Sequence, residues 1–79
     1  MSRLPLISSD RFIRALRRAG FADAPERGKG SHRALFKQDQ SGRKRLVIVP
    51  RAKTLPRGTL NAMLKQAGIS PEDLRRLLK

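Results

Sequence analysis

The stretch RGKGSHRALFK, Arg27 to Lys37, holds the single histidine of the chain, His32, behind a Gly-Ser step and among Lys and Arg. An unperturbed imidazole titrates near about 6.5, so it can take up and release protons around neutral pH. RNA is a substrate that suits so spare a set of groups, because it carries its own nucleophile, the 2′-hydroxyl. An enzyme need only remove that proton, protonate the leaving oxygen and hold the phosphate between them. General acid–base action of this kind typically contributes ~100- to 10,000-fold. Lys29 and Arg33 flank His32 closely, and such cations stabilise charge developing on a phosphate. Gly30 lets backbone N–H groups approach a phosphate without a side chain in the way. Ser31 completes the short run before the histidine. Acid and base roles need two proton carriers, and the second must then be water, or a Lys or Arg acting electrostatically.

Other chemistries fit less well. A zinc site needs a Cys/His set, and one His with no Cys cannot build it. The acids are Asp10, Asp23, Glu26, Asp39, Glu72 and Asp73, mostly scattered, which disfavours a magnesium site. GKGSH lacks the spacing of a phosphate-binding P-loop. A serine triad would need Ser31 and His32 to converge, yet adjacent residues on a strand face opposite ways. No cofactor and no metal is expected.

Composition points the same way. The chain has 79 residues, with 19 Lys plus Arg against 6 Asp plus Glu, a net +13. That length suits one small domain, 1–79, with a thin core. Such a charge favours a polyanionic partner, nucleic acid or an acidic protein. Affinity for RNA should fall steeply with salt. Without cysteine there is no disulfide. No apolar run is long enough for a membrane span. MSRLPLISSDRF lacks a signal peptide's apolar stretch, so a cytoplasmic location is expected. From local chemistry alone, a non-catalytic RNA-binding module and an architectural DNA-binding protein remain alternatives. The only aromatics are Phe12, Phe21 and Phe36. Patterning buries at least the first and third, so recognition by shape and phosphate contact fits better than base stacking.

The elements that must position these groups follow from periodicity. Ser9 to Ala19 reads as a helix, with Ser9 as N-cap and an apolar face of Phe12, Ile13, Ala15, Leu16 and Ala19. Gly20 stands where helices stop. Phe21 to Glu26 is ambiguous: its position suggests a first strand, but Ala, Asp and Pro form strands poorly. His32 to Lys37 reads as a strand, with Ala34 and Phe36 on one side and Arg33, Leu35 and Lys37 on the other. QDQSGRK is a turn, and RLVIVP, Arg45 to Pro50, is the strongest strand. Pro56 to Ala67 reads as a helix with a stripe of Leu60, Met63, Leu64 and Ala67, closed by Gly68. Ser70 opens a short final helix with Pro71 first and Asp73 near a capping box. The expected fold is a two-layer α+β sandwich, helices on one face of an antiparallel sheet.

GKGSHRALFK resembles the strand of the HicA toxin family, in which Gly-Ser-His precedes a strand. LPRGTLNAMLKQAGIS resembles that family's closing helix, with its Gly-Thr-Leu step and Leu-Lys-Gln-Ala-Gly pattern. The resemblance spans about residues 9–70. It implies a double-stranded-RNA-binding-like α-β-β-β-α fold and a type II toxin that cleaves messenger RNA without a metal. It implies that His32 is the catalytic histidine, and the basic, Gly-flanked surroundings make Lys29, Gly30, Ser31, Arg33 and Arg51 the RNA-binding candidates. It also implies a HicB-like antitoxin that covers the site, and DNA contact only through the complex with that antitoxin. Many relatives carry a second histidine just after the last strand. Here that place reads Val49-Pro50-Arg51, where Arg51 can hold a phosphate instead.

Overall fold

The computed structural model of the chain describes residues 4–24 and 32–79. Its elements run α1 (Ser9–Arg18), β1 (Ala22–Asp23), β2 (Arg33–Gln38), β3 (Lys44–Val49), α2 (Arg57–Ala67) and α3 (Pro71–Leu77). The three strands form one antiparallel sheet in the order β1-β2-β3. The expected α+β order and antiparallel sheet are thus present.

Register decides which side chains face the helices. Leu35 lies opposite Val47 and Arg33 opposite Val49. Leu35, Val47 and Val49 join Phe12, Ile13, Leu16, Leu60, Met63, Leu64 and Leu74 of the helices in one buried cluster. Phe36, opposite Leu46, therefore falls on the face turned away from the helices and is 39% exposed. The expected burial of Phe36 is overturned, and Phe21 is buried in its stead. Both Leu35 and Phe36 are apolar, so either parity would have satisfied a core; the partner strand settles it. β1 is only two residues long, extended by the bond from Ala24 N–H to the Ala34 carbonyl (2.9 Å). Positions 25 and 26 of the ambiguous segment lie outside the described residues.

The first helix is capped by Ser8, not Ser9: the Ser8 hydroxyl accepts the Arg11 N–H at 3.1 Å. Ser9 is buried and does a different job. Its N–H and hydroxyl both donate to the Ala52 carbonyl, at 3.0 and 3.1 Å, and its oxygen accepts the Ala52 N–H at 3.1 Å. The start of α1 is thereby fastened to the chain leaving β3. Leu55 N–H adds a bond to the Ile7 carbonyl at 2.8 Å. The helix expected from Pro56 begins at Arg57, with Pro56 in the cap position and no side-chain cap. Ser70 caps α3 as expected, accepting from the Asp73 N–H at 3.1 Å.

Cations finish the helix ends. Lys37 donates to the Ala19 carbonyl at 2.6 Å and lies 5.9 Å from the centre of the Phe21 ring. Positive charge at a helix C-terminus opposes the negative end of the dipole. Arg45 reaches the Gln66 carbonyl at 3.5 Å and Asp39 at 3.8 Å. Gly68, at φ 71°, makes room for it: a Cβ there would lie 2.7 Å from the Arg45 guanidinium carbon. Gly58, in the first turn of α2, is the opposite case, because a Cβ there meets nothing within 4 Å.

The β2–β3 turn is tied by Asp39. Its Oδ1 accepts from the Ser41 hydroxyl (2.6 Å) and from the N–H groups of Ser41 and Arg43 (3.0 Å each). Gly42, at φ 85°, completes the turn by donating to the Asp39 carbonyl. The Ser41 hydroxyl bond is the largest cause holding the Asp39 carboxyl below its ordinary value of 3.8. The backbone bonds and the Arg45 charge act in the same direction.

Three outcomes follow for stability. Gly68→Ala should cost about 1–2 kcal/mol from the left-handed backbone, a drop in Tm of roughly 4–16 °C for a domain of this size. Gly58→Ala should raise stability by ~0.5–1 kcal/mol, and thermal melts of both read the contrast. Asp39→Ala should melt below wild type at neutral pH. A depressed folded pKa means the unfolded chain binds more protons, so this stabilisation is complete above the ordinary value of 3.8. The gap between the two proteins should close as pH falls through the depressed value.

Candidate nucleic-acid interface

One end of the sheet gathers the described site candidates. His32 directly precedes β2 and is exposed. The ladder holds its neighbours from both sides: Arg33 pairs with Val49 of β3, and Ala34 accepts from Ala24 next to β1. Carrying the register one step back sets position 32 opposite Pro50. Proline has no N–H to offer a ladder, so the sheet ends there. Arg51 follows and is exposed. Its backbone is held in place because the next residue, Ala52, is the one fastened to Ser9.

Strand alternation separates the candidates by side. Arg33 belongs to the helix-covered side with Leu35. Continued back by one residue, the same alternation puts position 32 on the side of Phe36. Arg33 is also occupied: its Nη2 donates to Asp23 at 3.1 Å. The same carboxylate takes two bonds from Arg17 Nη2, at 2.9 and 3.2 Å. These side chains are nearly half exposed, so the pairs are worth little on their own and are screened by salt. Their effect is to gather two guanidinium groups around one acid, one of them on Arg33, next in sequence to His32. Lys29, Gly30 and Ser31 lie outside the described residues.

Arg17 is the residue that sequence reasoning passed over. It belongs to the arginine run of α1, where nothing in its spacing separates it from Arg11, Arg14 or Arg18. Only the pairing of β1 with β2, Asp23 opposite Leu35, brings the carboxylate between Arg17 and Arg33.

An exposed imidazole at a cationic sheet end can exchange a proton with a bound polyanion. Arg51, just past the facing strand, and the Arg17–Arg33 pair, on the helix-covered side, add positive charge at this end of the sheet. Among the described residues, no three His, Cys, Asp or Glu converge as a metal site would require. No helix among them is long and apolar enough to cross a membrane.

No curated protein matches the chain. The model of a protein family described as the HicA toxin of bacterial toxin–antitoxin systems matches residues 9–69. That span takes in every element from α1 through α2 and stops short of α3. With most of the chain so matched, it belongs to the HicA toxin family: it is the toxin member of a bacterial toxin–antitoxin pair, and its partner is a cognate antitoxin.

Proposed function

We propose that this toxin acts as a metal-independent endoribonuclease on messenger RNA, with His32 as its general acid or base. The observation that supports the reading is the exposed His32 at the sheet end, with Arg33 beside it and Arg51 just past the facing strand. In the first step the imidazole takes the proton of a 2′-hydroxyl. The freed oxygen attacks the adjacent phosphorus, and the bond to the 5′-oxygen breaks. That oxygen collects a proton from water or from the imidazolium, leaving a cyclic phosphate on one product and a 5′-hydroxyl on the other. Arg33, Arg51, Lys29 and the backbone at Gly30 and Ser31 stabilise the charge that builds on the phosphate oxygens. A phosphate that reaches Arg33 shares or displaces Asp23. The toxin works in the cytoplasm, where messenger RNA is translated, and meets DNA only within the antitoxin complex.

The net charge of +13 supports RNA binding whether or not cleavage occurs. A non-catalytic RNA-binding module is therefore the second reading, favoured by the lack of a second histidine. Controlled expression of wild type and His32→Ala separates the two. The variant should lose ~100- to 10,000-fold of the cleavage rate, and with it the growth arrest, while RNA binding stays. Equal RNA decay in both would remove His32 from the mechanism. Salt-dependent binding with RNA left intact by wild type would favour the binding module.

The ends of the cut RNA test the chemistry independently. Cyclic or 3′-phosphate ends, unchanged rates in the presence of a chelator and untouched DNA of the same sequence are expected. Ends carrying a 3′-hydroxyl would point to metal-assisted attack by water instead.

A further inference from the structure

Phe36 is the one aromatic ring within reach of solvent. Phe12 and Phe21 are buried, and the chain has no Tyr or Trp. Phe36 stands on β2, the central strand, on the face turned away from the helices. Its cross-strand neighbours differ in size: Ala22 on β1 and Leu46 on β3. The methyl group of Ala22 leaves the ring open on that side. Leu46 and Ile48, 39% and 44% exposed, give it an apolar border on the other. A ring left out of the core forgoes the burial that would favour it, so it keeps a flat apolar surface for a counterpart.

Position and charge narrow what that counterpart is. The alternation that puts position 32 on the side of Phe36 also puts Gln38 and Lys44 there, beyond the ring. From 32 to 36 is about 13 Å along a strand. Arg51 is exposed at the near end and Lys44 at the far end. Among the described strand residues the one acid is Asp23, which faces the helices with Leu35. A second copy of a chain with net charge +13 would be repelled. In a duplex each base is already stacked between its neighbours, whereas an unpaired base offers its face to an aromatic side chain. An unpaired RNA strand is therefore the polyanion that matches both features, its phosphates meeting the cations and a base meeting the ring.

We infer that this face is a stacking platform for unpaired RNA, on which Phe36 holds a base that neighbours the linkage presented to His32. Leu46 and Ile48 lie against the sugars or the edge of that base, and Arg51 and Lys44 attract the phosphates on either side. Such a contact selects unpaired stretches of a transcript over helical ones. The platform binds RNA whether or not cleavage follows; the placing of the stacked base beside a cut rests on the ribonuclease reading.

The test uses the full chain carrying His32→Ala, so that bound RNA is left intact, with one RNA strand offered unpaired or in a duplex. Phe36→Trp gives the chain a single indole, whose emission should be quenched by the unpaired strand and not by the duplex. Phe36→Ala should weaken binding of the unpaired strand by about 5- to 150-fold. That loss should be the same at every salt concentration, because no phosphate contact is removed. Lys44→Ala should instead make the slope of log affinity against log salt shallower by about one. Melting curves verify folding, and the indole reads the contact independently of Phe36→Ala. An indole that ignores RNA would overturn the platform and give the patch to a protein partner. Equal losses for unpaired and duplex RNA in Phe36→Ala would overturn it too. If wild type cuts no RNA, the ribonuclease reading alone fails, since the emission is read without cleavage.

Discussion

The ladder between β2 and β3 is the constraint on which the other features depend. Its six pairs, from Arg33 opposite Val49 to Gln38 opposite Lys44, set Leu35, Val47 and Val49 under the helices. Slipping one strand by a single residue would turn Leu35, or Val47 and Val49, away from the helices and put Phe36, or Leu46 and Ile48, in their place. With the register fixed, α1, α2 and α3 have a single apolar surface to cover. The same register puts the beginning of β2 and the end of β3 together, so His32 and Arg51 belong to one end of the sheet. It also leaves Phe36, Leu46 and Ile48 on the other side.

A chain with so few acids places them where they organise cations. Asp23 gathers Arg17 and Arg33, and Asp39 ties a turn while reaching Arg45. Several cations in turn close helix ends, Lys37 on α1 and Arg45 on α2. Positive charge is thus part of the architecture as well as a means of attracting a ligand. The Asp23 contacts are modest and exposed, which suits a surface that must exchange internal partners for a polyanion or an acidic protein.

Much of this was legible from residue order alone. The helices follow from apolar spacing and from Gly20, Gly68 and Ser70 at their ends. The hairpin follows from QDQSGRK between two apolar runs. Where reading fell short, the reason is competition between near-equal local choices. Ser8 and Ser9 are both good caps, and only the distant Ala52 selects Ser9 for another role. Leu35 and Phe36 are both apolar, and only β3 selects between them. For the site, His32 stands out by being the single imidazole, whereas the grouping of Arg17 with Arg33 depends on a two-residue strand that its own sequence scarcely encodes.

α3 lies beyond the family match yet is sewn to the first helix. Leu74 is buried in the shared core, and Arg18 donates to the carbonyls of Leu77 and Lys79 at 2.8 and 2.7 Å. Arg18 and Lys79 are 61 residues apart. At ~5–20 residues per second on the ribosome, the first helix waits roughly 3–12 s for this cover to be synthesised. A nascent toxin therefore passes through an interval in which α1 still lacks this cover, and the two helices join only once the segments between them have been made.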